Sequence, residues 1–428
     1  MRAGTVTGIA RQIGNGGRVL PEINRVQNLQ KMNRIHVVNF IRTQSDVTRA
    51  QISEATGLSL SAVTNIVDHL ISKDLVVAIG QEETSSVGRK RTKLKYNAHA
   101  HSLIEVLIET DSLSAMITSL NGDIQLSRAV SLDGDDDDIV PLLIRTIEEL
   151  LEEPRYQILG IGVAFSGMIL HEGNVTVSSL WQGDEKGHFD HLWETSGLLA
   201  QLEDGFGLPV VVENTSRAIA RSILERYPDT YMANSLLFDF SVGIGMVYVH
   251  DGALVTSLVG EIGHTCIDPQ GGRCACGNIG CLEMECSVDA IVSKATQALA
   301  EGKCEKLAAL RRGRPGAPTY GDILEASREG DQDVNRILVG VGELLGTALA
   351  NMINIFSPNA VLFQEGRILE SDVVVDTAIS VAVKRPLKPL AENLVFERVH
   401  GNGSDTRRGM AFLLSDRVFD FTTQNDLF

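Results

Sequence analysis

Two spacings of apolar residues divide this chain into a helical first hundred residues and a mixed remainder. Val63, Ile66, Val67, Leu70 and Ile71 recur at the i, i+3, i+4, i+7, i+8 positions that place side chains on one face of a helix. From residue 102 onward, short apolar runs of strand length alternate with longer segments of helical period. This alternation predicts an α/β body behind a small helical module.

The helical module has its own start and stop signals. A first helix is expected over residues 31–43. Thr48 caps a second helix, with Gln51 in the reciprocal position of a capping box. A turn at Gly57 then leads to a third helix, which Ser59 caps. The order helix, helix, turn, helix is typical of a helix-turn-helix.

A basic hairpin is expected to follow the third helix. An apolar strand over 75–79 and a polar turn over 80–87 precede a return strand over 92–96, which places its two lysines on one face. This completes a winged helix-turn-helix, whose small polar and basic side chains suit DNA. The candidate contacts are Ser61, Ala62, Thr64, Asn65, Arg89, Lys90 and Arg91. The alternative is a helical cap with a solvated hairpin.

These patterns predict three segments: a flexible arm over 1–25, the winged helix-turn-helix over 26–98, and an α/β domain over 99–428. The α/β elements are expected in the following ranges: strands at 103–108, 114–120, 158–165, 209–212, 235–240, 245–250 and 360–363; helices at 139–152, 217–225 and 335–356. Pattern alone predicts no more than an α/β fold with a mostly buried sheet.

Charge separates the same two regions. Residues 1–100 carry 14 Lys+Arg and 7 Asp+Glu, a net of +7, while the rest carries 24 and 48, a net of −24. We therefore expect only the first hundred residues to approach a polyanion. With no run of eighteen apolar residues and no signal-peptide pattern, we expect a cytoplasmic protein without a membrane span.

A cluster of metal-ligand residues lies within eighteen positions. His264, Cys274, Cys276 and Cys281 form a Cys3His set that can close a tetrahedron around zinc, with no open position for catalysis. We therefore predict one structural zinc per chain. The three other cysteines, Cys266, Cys286 and Cys304, are expected to be buried or inert. The alternative is a set of unrelated buried thiols.

The same stretch resembles the signature of ROK proteins, a family of sugar kinases and sugar-responsive repressors. The resemblance rests on Gly260-Glu261-Ile262-Gly263-His264 and on Cys-x-Cys-Gly-x-x-Gly-Cys-Leu-Glu, and it runs from about residue 100 onward. It implies a two-lobed, actin-like (ribonuclease-H-like) domain. It also implies that His264 is both a zinc ligand and a sugar contact. The remaining implied sugar contacts are Gly167, Asn214, Glu261 and Glu283.

The residues that a ROK kinase needs for phosphoryl transfer are altered. The family's first phosphate loop carries two glycines, but this chain reads Glu109-Thr110-Asp111-Ser112-Leu113. The second loop is kept in part, up to Gly243-Ile244-Gly245. The family's Glu-Asn-Asp supplies a general base, whereas Thr215 stands in that position here and threonine cannot take a proton near neutral pH. We therefore expect no enzyme activity.

Three hypotheses remain. The first, which we favour, is a DNA-binding regulator, a repressor of carbohydrate-utilisation genes, with a zinc-containing, non-catalytic sugar-sensing domain. Its partners would be double-stranded operator DNA and a sugar, and it would act as a homodimer or homotetramer. The second is an active sugar kinase, which ATP turnover would reveal. The third is a regulator whose second domain serves only oligomerisation or protein docking, which a thermal-shift screen with sugars would distinguish from the first.

Overall fold

The computed structural model divides the chain into two compact units. Unit 1 comprises Met1–Asn97 together with Phe419–Phe428, and unit 2 comprises Ala98–Val418. The structure describes residues 22–44, 46–81, 91–109, 112–132, 139–165, 168–170, 174–176, 198–227, 234–240, 243–256, 258, 260–274, 276–364, 366–399, 404–423 and 427–428. Most of the expected arm, residues 1–21, therefore lies outside the description.

Within its described residues, unit 1 contains three helices, and the predicted caps on two of them are confirmed. The helices are α1 (Glu22–Thr43), α2 (Arg49–Thr56) and α3 (Leu60–Ser72). Thr48 and Gln51 form the capping box of α2, and the Ser59 side chain accepts a hydrogen bond from the Ala62 amide. Gly57 ends α2 in the left-handed region, with φ 69°. Helix α1 begins nine residues before the predicted start, since local pattern places helix ends poorly.

A small sheet completes the first part of unit 1. The strands are β1 (Val47–Thr48), β2 (Val76–Gln81) and β3 (Thr92–Tyr96), in the order β1-β3-β2. Leu94 and Tyr96 are buried, whereas Lys95 is exposed and Lys93 half-buried on the opposite face. The predicted hairpin with its lysines on one face is confirmed, and its tip over 82–90 lies outside the described residues.

The tail Phe419–Phe428 contradicts the predicted end of the second domain at residue 428, because it packs within unit 1. Phe419 and Leu427 are 1% and 4% exposed. Asn39 Nδ2 donates to the Phe419 carbonyl at 3.3 Å, and Lys31 Nζ donates to the Thr423 carbonyl at 2.6 Å. This packing depends on burial and on hydrogen bonds to carbonyl groups more than 300 residues away in sequence, and the local sequence pattern could not predict either.

Unit 2 repeats one sheet topology twice. The first lobe contains β4 (Ser102–Ile108), β5 (Ser112–Ser119), β6 (Ile124–Ser131), β7 (Ile158–Phe165) and β10 (Val210–Asn214), in the order β10-β7-β4-β5-β6. The second lobe contains β11 (Asn234–Asp239), β12 (Gly245–His250), β13 (Ala253–Leu254), β14 (Ala360–Gln364) and β15 (Val395–Val399), in the order β13-β12-β11-β14-β15. In each sheet, three consecutive strands form an antiparallel meander. On the other edge of the first strand of that meander, two further strands pair in parallel, one beyond the other. A two-stranded ribbon, β8 (Met168–Leu170) and β9 (Asn174–Thr176), belongs to neither sheet.

Helices cover both sheets. They are α4 (Ile139–Leu151), α5 (Leu198–Phe206), α6 (Thr215–Arg226), α7 (Leu282–Cys286), α8 (Val288–Ala300), α9 (Glu305–Leu310), α10 (Tyr320–Arg328), α11 (Gln332–Phe356), α12 (Asp372–Lys384), α13 (Lys388–Ala391) and α14 (Asp405–Val418). Helices α4 and α5 share the core of the first lobe, and α10, α11 and α12 share that of the second. The predicted strands and helices of this unit are confirmed to within three residues at each end, while β6, β15, α12 and α14 were not anticipated.

Helix α11 is the longest element of unit 2. By length and composition it is the single helix among the described residues that is apolar enough to cross a membrane. Half of its most apolar window is buried inside the protein, however, against α12 and the second sheet. Such burial is typical of the central helix of a folded domain.

Candidate metal centre and adjoining ligand site

The metal-ligand cluster lies on a loop that folds back on itself twice. Cys266 pairs with Cys281, and Arg273 pairs with Ile279, in two isolated antiparallel bridges. Gly280 lies between the paired segments with φ 66°, and a Cβ there would overlap the Asp268 carbonyl oxygen. Only glycine permits this close approach. The loop therefore brings a histidine and three cysteines together before α7 begins.

The four predicted ligand side chains converge. Their ligand atoms all lie within 4.8 Å of one another. Cys274 Sγ is 3.6 Å from His264 Nδ1, and Cys276 Sγ is 3.6 Å from Cys281 Sγ. A tetrahedron with Zn–S bonds of about 2.3 Å has edges of about 3.8 Å. The cluster thus has the size and the donor types that a zinc ion requires.

The electrostatics of the cluster also fit a cation. Burial lowers the pKa of His264, which favours the neutral imidazole that a metal binds. Burial raises the pKa of the Cys281 thiol to about 12, so its thiolate form needs a positive partner. A divalent metal supplies that charge.

The remaining cysteines only partly match expectation. Cys286 and Cys304 are buried, whereas Cys266 is exposed, so of the predicted alternatives, buried or inert, burial is wrong for Cys266. It follows the short 3₁₀ turn Ile262–His264 and lies on the outer part of the loop. Burial of a thiol there could not be judged from sequence, because it depends on which loop segment packs against the core.

A second acidic and thiol group is formed by Cys304, Asp331 and Asp333. Its carboxylates already accept backbone hydrogen bonds. Asp331 accepts from the Lys306 and Leu307 amides at 2.9 and 3.1 Å, and Asp333 accepts from the Cys304 amide at 3.1 Å. The group is a helix cap for α9, and it gives no sign of a ligand.

The predicted sugar contacts other than His264 lie on several elements of unit 2. Asn214 ends β10 and caps α6, with its Oδ1 accepting from the Ser216 amide at 2.7 Å. Glu261 is half-buried, and burial raises its pKa although the nearby Arg217 lowers it. Glu283 follows the last cysteine, and burial raises its pKa to about 7, with Glu261 adding to the rise. Gly167 lies outside the described residues.

Arg217 fixes the segment that leads to Glu261, and sequence reasoning missed it. It is 5% exposed and pairs with Glu213 at 3.0 Å. Its other terminal nitrogen donates to the Leu258 carbonyl at 2.5 Å. An arginine can fill several hydrogen-bond positions from one rigid fork. Arg217 therefore joins α6 to Leu258, two residues before Gly260.

The second phosphate loop is closed by a side chain of the protein itself. Glu283 Oε2 accepts a hydrogen bond from the Ile244 amide at 3.1 Å. The Gly263 amide donates to the Ile244 carbonyl at 2.9 Å, and a Cβ on Gly263 would lie only 2.7 Å from that oxygen. This loop amide is thus occupied by a carboxylate of the protein.

The other altered kinase positions are held in local structure. Ser112 begins β5, and its hydroxyl donates to Glu109 at 3.4 Å across the turn, while Asp111 lies outside the described residues. Thr215 is the first residue of α6. At the start of the second loop, Asp239 is buried and accepts from the Ser216 hydroxyl at 2.6 Å. A buried carboxylate here disfavours a bound phosphate.

The outward face of α3 carries the predicted base contacts in unit 1. Ser61 and Asn65 are exposed, and Ala62 and Thr64 are half-buried. The Thr64 hydroxyl donates to the Leu60 carbonyl at 2.8 Å. In the hairpin, Arg91 is exposed, whereas Arg89 and Lys90 lie outside the described residues.

The repeated sheets, the interlobe helix α6 and the Cys3His loop define a two-lobed protein of the ROK class. The ROK family model matches residues 107–417, and the chain belongs to the ROK family. The predicted resemblance is thereby confirmed.

Individual relatives extend this match. The xylose repressor of Bacillus subtilis is 25% identical over 403 residues, which cover 92% of this chain and 98% of that protein. The crystal structure of a ROK family transcriptional regulator, a homologue of Escherichia coli Mlc, is 23% identical and covers 92% of this chain and 97% of its own, with a TM-score of 0.72. A ROK glucokinase from Streptomyces griseus, solved with glucose and AMPPNP, is 22% identical and covers 73% of this chain and 98% of its own, with a TM-score of 0.55.

Proposed function

We propose that the protein is a DNA-binding transcriptional repressor of carbohydrate-utilisation genes, whose unit 2 senses a sugar and performs no catalysis. One observation carries this proposal. The repressor and the regulator structure align along 92% of this chain, but the glucokinase aligns along 73%. The part that the kinase lacks corresponds in size to unit 1 with its three helices and basic hairpin.

In this proposal, α3 enters the major groove of operator DNA. Its exposed Ser61 and Asn65 are small polar side chains that let the helix enter the groove and can hydrogen-bond base edges. Ala62 and Thr64 lie beside them. Arg89, Lys90 and Arg91 at the hairpin would contact phosphates or a narrow minor groove. A homodimer or homotetramer would present two such helices to paired half-sites.

The DNA-binding proposal is tested in two steps. Genomic footprinting identifies the bound sites, and binding isotherms on one site then compare variants over a range of salt concentrations. Asn65→Ala should cost about 1–3 kcal/mol on the cognate site and relax sequence preference. Arg89→Ala should weaken binding to all sequences and flatten the salt dependence.

Lys388→Ala is the matched control, since Lys388 is an exposed cation of unit 2. Unchanged affinity for Arg89→Ala at every salt concentration would make the hairpin a solvated surface. Binding that ignores both Asn65 and Arg89 would contradict the assignment of unit 1.

The absence of catalysis rests on two features of unit 2. Thr215 stands in the position of the general base, and base catalysis contributes roughly 10²- to 10⁴-fold in rate. Glu283 occupies the Ile244 amide of the second phosphate loop. Coupled measurement of ATP turnover with a panel of hexoses and N-acetylhexosamines should give no signal.

The sensing site takes a small polyhydroxylated molecule, a sugar, between Asn214, Glu261, His264 and Glu283, and the ROK resemblance adds Gly167 as a further contact. A structural zinc ion held by His264, Cys274, Cys276 and Cys281 would fix the His264 ring and hence the ligand geometry. Carboxylates and an amide are the groups that proteins use to pair with sugar hydroxyls.

Sugar binding is tested by calorimetry of the full chain with xylose, glucose and N-acetylglucosamine. Saturable heat with one of them, together with altered operator affinity, supports a sensor, because a ligand shifts an equilibrium only by its differential affinity for the two states. No binding at millimolar concentration would favour the alternative, in which unit 2 serves oligomerisation or protein docking.

A further inference from the structure

The exposed Cys266 lies on a backbone segment that pairs with the segment of Cys281, one of the proposed metal ligands. Cys266 and Cys281 are partners in an antiparallel bridge. The bridge is flanked by two hydrogen bonds, from the Ile267 amide to the Gly280 carbonyl at 2.7 Å and from the Leu282 amide to the Thr265 carbonyl at 2.9 Å. In this pattern the two cysteines form the non-hydrogen-bonded type of pair.

That type of pair has the spacing of a disulfide. Its Cα atoms lie about 4.5 Å apart, and its two side chains point to the same face. Disulfides form between Cα atoms about 4.4–6.8 Å apart. Rotation of the two side chains between staggered χ1 positions is then sufficient to join the sulfurs, without movement of the backbone.

The two thiols differ in access. Cys266 is exposed, whereas Cys281 is fully buried and its Sγ lies 3.6 Å from Cys276 Sγ inside the cluster. An oxidant in solution therefore reaches Cys266 before Cys281, since oxidation of cysteine follows exposure. Cys276 is exposed too, but Cys281 is the bridge partner of Cys266 and is thus its candidate resolving thiol.

We propose that Cys266 and Cys281 form a redox pair, which a peroxide converts to a disulfide and which thereby removes Cys281 from the metal. The proposal rests on the zinc site proposed above. It adds a regulatory input, an oxidant, to a protein whose other inputs are DNA and a sugar.

The reaction balances in two steps. The Cys266 thiolate attacks one oxygen of hydrogen peroxide and breaks the O–O bond, which gives the sulfenic acid Cys266–SOH and a hydroxide that takes up a proton to form water. The Cys281 thiolate then attacks the sulfenic sulfur, which forms the Cys266–Cys281 bond and breaks the S–OH bond. The hydroxide that leaves takes a proton from solvent and becomes the second water. Two thiols are oxidised and the peroxide is reduced. His264, Cys274 and Cys276 remain as ligands, too few for a closed structural zinc site.

The consequence reaches the proposed sugar site. His264 and Glu283 are held by the same loop, and Glu283 in turn binds the Ile244 amide. Loss of the metal would leave the His264 ring, one of the proposed sugar contacts, without the bond that fixes its orientation. Oxidation should therefore weaken sugar binding along with metal binding.

The test uses the full chain, purified without added zinc and with its metal content measured first. Graded hydrogen peroxide is added, free thiols are alkylated, and zinc release is followed with a chromogenic chelator. Peptide mass spectrometry should then find a Cys266–Cys281 cross-link that forms in step with zinc loss and is reversed by dithiothreitol. Cys266→Ser should contain as much zinc as the unaltered protein, yet retain it at the peroxide dose that empties the latter.

Cys304→Ala, which removes a buried thiol outside the loop, should lose zinc as the unaltered chain does. Two outcomes would overturn the proposal: equal zinc loss from Cys266→Ser, or a cross-link between Cys276 and Cys281 with Cys266 alkylated. A chain that contains no zinc before oxidation would instead overturn the proposed metal site, and the cross-link map would still decide whether Cys266 and Cys281 pair.

Discussion

In unit 2, the Cys3His cluster (here the metal end) has converging ligand groups, whereas the Gly243-Ile244-Gly245 loop (here the phosphate end) has an amide that is already bonded to the protein. At the metal end, four ligand side chains converge within 4.8 Å on a loop that only glycines permit. At the phosphate end, the second loop keeps its backbone, but Glu283 occupies the Ile244 amide and Asp239 is buried beside it. The difference teaches that a loop of the same fold can be held by the protein's own carboxylate where another loop presents free ligand groups.

The largest effect that tests this difference should come from the metal end. Cys276→Ser should lower the zinc content from near one per chain to a small fraction and lower the melting temperature, because the binding free energy of a structural metal is also folding free energy. Metal analysis and calorimetric unfolding measure both. The matched control is Cys304→Ser, a thiol outside the cluster, which should keep its zinc. An unchanged zinc content in the Cys276 variant would contradict the proposed metal site.

The first lobe, which carries the first phosphate loop, should respond to pH. Glu105 on β4 is 2% exposed and accepts from the Thr118 hydroxyl at 2.5 Å, and burial raises its pKa to about 8. Between the ordinary carboxyl pKa and this value the unfolded chain releases a proton that the folded chain keeps. Stability should therefore fall as pH rises from about 4.5 to about 8, by about 1.4 kcal/mol per unit of pKa difference at most.

Glu105→Gln removes this titration and keeps the shape and the bond from Thr118. The variant should match the unaltered chain near pH 5 and exceed it in stability at pH 8, as measured by urea unfolding at several pH values. Glu109→Gln, an exposed change in the same hairpin, should leave the pH slope unaltered. If the unfolding free energy depended on pH in the same way for Glu105→Gln and for the unaltered chain, the prediction that the folded chain keeps Glu105 protonated would be contradicted.

A smaller effect is expected for the sugar contacts beside the metal. Glu261→Ala should lower the affinity for the proposed sugar at least about tenfold, because loss of one hydrogen-bonded charged group costs about 1.5–3 kcal/mol of binding free energy. Zinc content should stay unchanged, which separates this effect from loss of the loop. Glu148→Ala, at an exposed position of α4, serves as the control in the same calorimetric titration. Equal affinity in both variants would place the sensing site elsewhere.

The smallest effect is expected for a variant that restores one missing group at the phosphate end. Thr215→Asp returns a carboxylate to the position of the general base, yet it should restore no ATP-dependent phosphorylation, since the Ile244 amide remains occupied by Glu283. A coupled assay with hexoses measures this, with the unaltered chain as reference. Turnover in the Thr215 variant would mean that the phosphate end had lost one residue and kept its binding groups.

Features set by nearby residues could be predicted from sequence, and features set by distant ones could not. The caps at Thr48 and Ser59 and the convergence of the Cys3His set depend on spacings of a few residues, and pattern reasoning found them. The bond between Glu283 and Ile244 joins residues 39 apart, and the exposure of Cys266 depends on how a whole loop packs. Neither leaves a periodic signal in a single sequence.

The discontinuity of unit 1 has a consequence for the order of events during synthesis. The core of unit 1, the proposed DNA-binding unit, includes Phe419 and Leu427, which the ribosome reaches only after it has made the intervening Ala98–Val418. At about 5–20 residues per second, those 321 residues take about 15–65 s. During that interval α1, α2 and α3 exist without the segment that fills their core. A nascent chain therefore acquires its complete DNA-binding unit only after the domain that would control it has been made.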